Sequence, residues 1–161
     1  MRIIGGSAKG KSLFSPSDKT RPTSDRAREG LFSSLESEFG SINDLFFLDL
    51  FSGSGAVGVE ALSRGAALVT SVEQHAPTSQ IAIQNFQLVS GASGEFEVIP
   101  QDVSKYLSSP ANHQFDIIFL DPPYDLANSE IEKILAMILK NNFLKINGVI
   151  AVERESRSKE F

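Results

Sequence analysis

From residue 45 onward, short apolar runs alternate with stretches of helical periodicity, and this alternation limits the fold more than any other feature of the chain. Apolar runs that are bounded by turn residues indicate buried strands, and apolar residues three or four positions apart indicate helices. Strands that are joined through helices form parallel sheets. We therefore expect an α/β fold with a doubly wound, mostly parallel sheet covered by helices on both faces. Strands are predicted at 45–51, 67–73, 96–100, 115–121 and 148–154.

Helices are predicted between these strands, and one more precedes the first strand. This early helix begins at Asp25, and its apolar residues recur at every fourth position. Upstream of it, the Gly-rich segment 2–14 reads as two short strands around a turn. The intervening helices are predicted at 55–65, 78–90, 104–109 and 128–142, and the stripe of the early helix consists of Ala27, Leu31, Leu35 and Phe39.

Residue content excludes several kinds of site. The 161 residues include no cysteine and two histidines, His75 and His113, which lie far apart, so we expect neither a disulfide nor a metal centre. No apolar run approaches the length that crosses a bilayer, and the N-terminus lacks the apolar core of a signal peptide. By default, these features predict a cytoplasmic protein without a membrane partner.

Charge is distributed unevenly along the chain. Residues 1–30 contain seven basic and three acidic side chains, whereas residues 31–161 contain eight basic and seventeen acidic ones. The net charge of −5 argues weakly against a nucleic-acid partner, but the asymmetry indicates a basic arm on an acidic body. A basic terminus that is simply solvated would produce the same pattern.

A glycine-rich segment follows the first predicted strand. In DLFSGSGAVGVE, residues 49–60, three glycines form a G-x-G-x-x-G pattern between a strand and a helix. Glycines let the backbone approach a ligand closely, and the helix start offers unpaired N–H groups. Glu73 ends the next strand, where a carboxylate can accept both hydroxyls of a ribose. The pattern indicates a nucleoside-containing cofactor, although a tight turn with a surface acid has the same sequence.

Two aspartates bear on the identity of this cofactor. Asp49 precedes the glycine loop, where its charge would partly cancel the positive helix terminus. An acid there suits the ammonium of S-adenosylmethionine better than the pyrophosphate of a dinucleotide, so we favour the methyl donor. Asp102 follows the third strand and could accept from an adenine amino group, with Val103 offering its backbone N–H. An aspartate at this position is also typical of a helix N-cap.

The fourth strand continues directly into DPPY, residues 121–124. The two prolines fix their own φ and carry no N–H, so the turn is stiff and leaves a carbonyl without a competing donor. Asp121 and such a carbonyl could orient an exocyclic amine whose lone pair is otherwise delocalised into a base. Tyr124 offers a ring on which a planar base can stack. The alternative is a proline-rich strand exit in which Tyr124 packs into the core.

DPPY together with DLFSGSGAVG resembles the class I amino-methyltransferases that act on adenine, guanine or glutamine amide nitrogens. Three further stretches, at 2–11, 21–32 and 58–66, resemble the RsmD family, bacterial enzymes that methylate the N2 amine of a guanine in 16S ribosomal RNA. The resemblance extends from Arg2 to about Glu153. It implies a Rossmann-like class I methyltransferase fold, S-adenosylmethionine as cofactor, and 16S ribosomal RNA or a small-subunit assembly intermediate as partner.

By motif, the resemblance also implies three sets of site residues. The catalytic turn would consist of Asp121, Pro122, Pro123 and Tyr124. The cofactor pocket would be lined by Asp49, Phe51, Gly53, Ser54, Gly55, Glu73, Asp102 and Val103. Contacts with RNA phosphates, or support of the catalytic loop, would come from Lys9, Lys11, Arg21, Thr23, Arg26 and Arg28. The alternative for the four residues from Arg21 to Arg28 is an ordinary surface helix with Arg–Glu pairs.

The organisation that follows is a single compact unit acting as a monomer. A basic hairpin and helix at 1–40 would cover RNA and the active site, and 41–161 would form the S-adenosylmethionine-binding catalytic domain. Family members usually continue with a further pair of strands. We therefore expect the fifth strand to have an exposed edge and this C-terminal pair to be missing from the chain.

Other functions use parts of the same sequence. A DNA adenine-N6 or protein-glutamine methyltransferase could use the same turn, but no DNA-recognition domain is visible, and glutamine enzymes typically carry asparagine at position 121. A nicotinamide-dependent oxidoreductase would use the glycine loop and leave DPPY without a role. A non-catalytic RNA-binding module would need no pocket for a methyl donor.

Overall fold

The structure is a computed structural model that describes residues 1–16, 24–89 and 91–154. In these ranges, five strands form one sheet in the order β3-β2-β1-β4-β5, and all neighbouring pairs are parallel. The prediction of a doubly wound parallel sheet is therefore confirmed, and β5 lies at an edge as expected. The strands are β1 (Phe46–Leu50), β2 (Leu68–Val72), β3 (Glu95–Ile99), β4 (Phe115–Leu120) and β5 (Leu144–Val152).

The predicted helices are present with bounds that differ by a few residues. The first begins after Ser24, whose hydroxyl accepts from the N–H of Ala27, and ends at Gly40, which has a φ of 81°. Among the described residues, no helix is long and apolar enough to cross a membrane. The helices are α1 (Asp25–Phe39), α2 (Ala56–Ser63), α3 (Ala76–Gln87), α4 (Val103–Leu107) and α5 (Asn128–Lys140).

The sheet has a hydrophobic core on each face. Successive strand residues point to opposite sides, so Phe47 packs in one core and Leu48 in the other. The first core includes residues of α1, α2 and α3, and the second includes residues of α4 and α5. Because both faces are covered, the central strands are almost continuously apolar, which is why the sequence shows them as unbroken runs.

The strand order changes direction between β1 and β4, and we call the place at the carboxyl ends of these two strands the crevice. From β1 the chain first adds β2 and β3 on one side, and it then crosses to β4 on the other. Ligands bind open α/β sheets at such a switch point. Leu50 and Leu120 are register partners at the ends of the two strands, so the glycine loop and the DPPY turn begin side by side.

Residues 1–16, which we call the N-terminal arm, do not form the two predicted strands. Instead, one antiparallel bridge joins Arg2 and Ser12. Gly6 has a φ of 80°, and a Cβ there would lie 1.9 Å from the carbonyl oxygen of Ser63 in α2. The N–H of Ser7 donates to that same oxygen at 2.7 Å. The N–H groups of Leu13 and Ile3 donate to the carbonyls of Met1 and Lys11, both at 2.9 Å, so the two ends of the arm do pair. The predicted hairpin is reduced to one bridge because the N–H groups of Ile4, Gly5 and Ala8 donate to side chains of α2.

The buried face of α1 follows the predicted stripe in part, because Leu35 is buried and Leu31 and Phe39 pack against the core. Ala27 is exposed, and the buried residues are Arg28, Phe32 and Leu35. A four-residue repeat drifts around a helix that has 3.6 residues per turn. Packing is decided by Phe32, whose ring stacks on Phe47 of β1 with centroids 5.9 Å apart.

Candidate active site

The glycine loop after β1 is built from left-handed backbone. Phe51 has a φ of 59°, Gly53 of 56° and Gly55 of 83°. For a side chain such as that of Phe51, this conformation costs roughly 1–2 kcal/mol. Gly55 is restricted further, because a Cβ there would lie 3.2 Å from that of Ala82. Strained backbone that is held by its surroundings is typical of ligand-binding turns.

Glu73, at the end of β2, holds the glycine loop from the side. Its carboxylate accepts from the N–H of Gly53 at 2.9 Å and from the N–H of His75 at 2.8 Å. The two predicted cofactor residues Gly53 and Glu73 are thus brought into direct contact. Their contact joins the ends of β1 and β2 at the crevice.

Asp49 lies beneath the loop and is fully buried. It accepts from the N–H of Gly58 in the first turn of α2 at 3.2 Å, which satisfies one of the donors that a helix start leaves unpaired. Burial, followed by repulsion from Asp121 and Glu73, raises the pKa of Asp49 well above its usual value despite this hydrogen bond. Three carboxylates therefore act on one small region, and a positive ligand would relieve their repulsion.

Asp102 and Val103 lie at the start of α4. The Asp102 side chain accepts from the N–H of Lys105 at 3.1 Å, so the N-cap interpretation of this residue is confirmed. Asp102 is exposed and Val103 is buried. The cap fixes the direction of the carboxylate at the carboxyl end of β3.

The DPPY turn projects from the end of β4. Asp121 is half-buried, Pro122 is buried, and Tyr124 is 73 % exposed, so the alternative in which Tyr124 packs into the core is wrong. The carbonyl of Pro123 accepts from the N–H of Leu126 at 3.0 Å and from Nη1 of Arg154 at 3.2 Å. This carbonyl is therefore already engaged in holding the turn.

The predicted RNA-binding residues fall into different environments. Lys9 and Arg26 are exposed. Lys11 is also exposed, but its Nζ donates to the carbonyl of Leu88 at the end of α3, at 2.8 Å. Arg21 and Thr23 lie outside the described residues.

Arg28 is fully buried, which is inconsistent with its predicted contact with RNA phosphates. Its Nη2 lies 2.5 Å from a carboxylate oxygen of Asp25 and 2.6 Å from the carbonyl of Arg2, and its Nε lies 3.9 Å from Glu60. The basic motif reads as a surface feature in the sequence. In the fold, this member of it joins α1 to the N-terminal arm and to α2.

Glu60 is a buried acid that our sequence analysis did not single out. Its two carboxylate oxygens accept from the N–H groups of Ile4 and Gly5, both at 2.9 Å, and it is paired with Nε of Arg64 at 2.9 Å. The only signal in the sequence is an acid within the otherwise apolar helix GAVGVEAL. Glu60 fixes the N-terminal arm to the helix that carries the glycine loop.

Asn85 is a second residue that sequence analysis missed. It is fully buried in α3, and its Nδ2 donates to the carbonyls of Ser54 at 2.8 Å and Phe14 at 3.0 Å. Its Oδ1 accepts from the N–H of Phe14 at 2.8 Å. A single side chain thus connects the far end of the N-terminal arm to the glycine loop.

In the described ranges, no group of three or more His, Cys, Asp or Glu residues could hold a metal ion. The sheet order, the glycine loop and the DPPY turn together define a Rossmann-like methyltransferase. A family model described as Conserved hypothetical protein 95 matches residues 1–161. The chain belongs to this family, the RsmD-type methyltransferases.

Known relatives agree with this assignment. A protein of Haemophilus influenzae named Ribosomal RNA small subunit methyltransferase D is 38% identical over 157 residues, covering 96% of this chain and 79% of its own length. The protein of that name from Escherichia coli strain K12 is 37% identical over 156 residues, covering 96% and 75%.

Solved structures show the same fold. A candidate methyltransferase of Escherichia coli, yhhF, has a TM-score of 0.80 and 33% identity, covering 94% of this chain and 78% of its own. A further candidate methyltransferase, SMU.776, was solved in complex with SAH; it has a TM-score of 0.58 and 26% identity, covering 74% and 33%. Both likenesses show the methyltransferase fold, and the SAH complex is a property of SMU.776.

Proposed function

We propose that this protein transfers the methyl group of S-adenosylmethionine to the exocyclic N2 amine of a guanine in 16S ribosomal RNA. The observation that carries the proposal is the placement of the DPPY turn directly beside the glycine loop, at paired ends of β4 and β1. The names of the relatives, which specify small-subunit ribosomal RNA, support the substrate. The guanine amine follows from the family resemblance.

The charges of the pocket fit this cofactor. S-adenosylmethionine, when bound, supplies an electrophilic methyl group on a positive sulfonium, and its amino-acid end carries an ammonium. Asp49, with its pKa raised by burial and by neighbouring acids, gains a favourable interaction when a cation is present. A pyrophosphate would add repulsion to the same three carboxylates. The acidic crevice therefore favours the methyl donor over a dinucleotide.

Each side of the pocket has a distinct task. Asp49 attracts the ammonium, Glu73 accepts from the ribose hydroxyls, and Asp102 with the N–H of Val103 binds the adenine edge. Glu73 already accepts from Gly53, so the cofactor would be placed against the loop that this carboxylate holds. The backbone and side chains nearest to it would be those of Phe51, Gly53, Ser54 and Gly55.

The DPPY turn would orient the amine. Asp121 accepts from one N–H, and the carbonyl of Pro122 accepts from the other, because the carbonyl of Pro123 is engaged by Leu126 and Arg154. Two acceptors turn the nitrogen lone pair out of the base plane and toward the methyl group. The exposed ring of Tyr124 stacks on the base. The gain comes from holding a near-attack geometry.

Residues 1–40 would bind RNA over the catalytic domain at 41–161. Lys9, Lys11, Arg21, Thr23 and Arg26 are the candidates for phosphate contacts, and Arg28 supports the arm from inside. A base within folded RNA must be unstacked before its amine reaches Asp121, which costs a few kcal/mol. Phosphate contacts would supply this free energy. The protein would act in the cytoplasm on 16S ribosomal RNA or on a small-subunit assembly intermediate.

The test is transfer of labelled methyl from S-adenosylmethionine to three acceptors side by side: small ribosomal subunits that lack the modification, naked 16S RNA, and plasmid DNA. We expect label on the RNA or the subunit. If only the DNA is labelled, the proposal that the DPPY turn methylates an exocyclic amine stands, but the ribosomal substrate is refuted. Asp121→Ala serves as the matched control for contaminating activity.

A further inference from the structure

Arg154 follows β5 and contacts the segment that carries the DPPY turn. Its Nη1 donates to the carbonyl of Pro123 at 3.2 Å. Its Nη2 donates to the carbonyl of Leu126 at 2.9 Å and to Oδ1 of Asn128 at 3.2 Å. One guanidinium group therefore binds three acceptors that lie within six residues of each other.

The neighbouring residue fixes the other end of the same segment. The N–H of Glu153 donates to the carbonyl of Leu120, the last residue of β4, at 2.8 Å. The turn is also closed internally by the bond from the N–H of Leu126 to the carbonyl of Pro123. Two consecutive residues at the end of β5 thus hold the catalytic turn, one where it leaves the sheet and one where it enters α5.

The chemistry of arginine is suited to this task. Its donors form a rigid planar fork, so two carbonyls can be held in one fixed arrangement, whereas a lysine ammonium on a flexible stem fixes no such plane. Hydrogen bonds that involve a charged donor are about twice as strong as neutral ones. The side chain is half-buried, which limits the competition from water.

We infer that Arg154 is a positioning residue for methyl transfer, acting through the backbone of the DPPY turn. By engaging the carbonyl of Pro123, it leaves Asp121 and the carbonyl of Pro122 as the acceptors for the amine. It also fixes the peptide that joins Pro123 to Tyr124, the residue proposed to stack on the base. The inference rests on the proposed function, because an oriented amine is what this placement serves.

The kinetic test compares Arg154→Met, which preserves side-chain length and removes the donors, with Arg154→Lys. A matched control is Lys145→Met, because Lys145 lies at the start of β5, the strand that Arg154 follows, and its Nζ is paired with Asp116, 3.2 Å away. We expect kcat of Arg154→Met to fall about tenfold to a hundredfold, with the KM for S-adenosylmethionine within about twofold. Arg154→Lys should recover part of kcat, and Lys145→Met should match the wild type.

A second readout needs no activity. Hydrogen exchange of the amides from Tyr124 to Asn128 should accelerate in Arg154→Met and stay unchanged in Lys145→Met. An unchanged kcat in Arg154→Met overturns the inference whatever the exchange shows. If Arg154→Met does not fold, Arg154→Lys carries the same test, since a kcat equal to that of the wild type then rejects the need for a planar fork. If the wild-type protein transfers no methyl group, the proposed function is wrong and this inference falls with it. If the wild type is active and only the Arg154 variants lose kcat, both are supported.

Discussion

At the scale of single residues, the site is organised around Asp49, whose ionised form is disfavoured by burial and by neighbouring acids when no cation is bound. Asp49 is buried, and both Asp121 and Glu73 repel its charge. Such perturbed groups in a crevice are typical of functional sites. The arrangement explains why an acid occupies the end of an otherwise apolar strand, where stability alone would favour another apolar residue.

Asp49→Asn should change the pH dependence of both stability and binding. Because the pKa of Asp49 is raised, the folded protein keeps a proton that the unfolded chain has released at the same pH. The free energy of unfolding of the wild type therefore declines as pH rises from the usual aspartate value through the raised one. We expect urea unfolding at a series of pH values to show a smaller decline in Asp49→Asn.

Affinity for S-adenosylmethionine should move in the opposite direction over the same window, since the cation prefers ionised Asp49. Calorimetry should therefore show wild-type affinity increasing with pH, and a flatter dependence for Asp49→Asn. Equal pH slopes for binding to the two proteins would show that Asp49 does not interact with the cationic cofactor.

Asp121→Ala should abolish most transfer and leave cofactor binding intact. The carboxylate is assigned to the amine of the substrate, so its loss should lower kcat by about a hundredfold or more. Affinity for S-adenosylmethionine, measured by calorimetry, should stay within a few-fold. Retained transfer would disprove the assignment of Asp121 to the amine, and lost cofactor binding would move Asp121 into the cofactor pocket.

At the scale of elements, α2 differs from an ordinary surface helix because every one of its residues is buried. One face packs on the sheet, and the N-terminal arm covers the other through Glu60 and Ser63. The helix that begins at the glycine loop is thereby held on both sides. The N-terminal arm is therefore part of the framework that holds the glycine loop, the proposed cofactor site.

Glu60→Ala should destabilise the protein strongly, by about 3–5 kcal/mol, because it leaves Nε of Arg64 and two backbone N–H groups without this acceptor and removes the negative charge 3.9 Å from buried Arg28. Glu36→Ala is the matched control: Glu36 is paired with the same Arg64, but its side chain is 40% exposed whereas that of Glu60 is 1% exposed, so its removal should cost less than about 1 kcal/mol. Urea unfolding measures both changes. Similar losses in the two variants would mean that the arm is not fixed by Glu60.

Gly53→Ala and Gly55→Ala form a second matched pair. Both residues have positive φ, so each alanine should cost about 1 kcal/mol or more. A Cβ at Gly53 meets nothing within 4 Å, whereas one at Gly55 meets Ala82 at 3.2 Å and Phe86 at 3.4 Å. Chemical denaturation should show the larger loss for Gly55→Ala, and the reverse order would contradict the described loop.

Local signals explain how much of this organisation the sequence reveals. Apolar runs marked all five strands, and DPPY and the glycine pattern marked the crevice, because each depends on adjacent residues. The prediction for α1 failed at Ala27 and missed Phe32, which packs on Phe47, fifteen positions away. Glu60, Asn85 and Arg154 were missed because their side-chain partners, apart from Arg64 beside Glu60, lie 26 or more positions away in the chain. No pattern within a short window reports such contacts.

At the scale of the whole molecule, the N-terminal arm carries three basic side chains and no acidic one, on a chain whose net charge is −5, and it packs against α2. RNA binding through phosphates releases counterions, so affinity should fall steeply as salt increases. Lys9→Ala should reduce the slope of log affinity against log salt by about 1. Lys133→Ala on α5, which covers the opposite face of the sheet, should leave the slope unchanged. Filter binding to 16S RNA at several salt concentrations measures these slopes. Equal slopes for the wild type and both variants would show that Lys9 on the arm does not contact RNA phosphates.

The central claim is that a methyl group from S-adenosylmethionine is placed on the N2 amine of a guanine. The most direct measurement is mass spectrometry of nucleosides digested from small-subunit RNA after reaction with isotope-labelled cofactor. The account predicts labelled N2-methylguanosine with the wild-type protein and none with Asp121→Ala. Label on N6-methyladenosine, on the ribose, or on protein alone would contradict it.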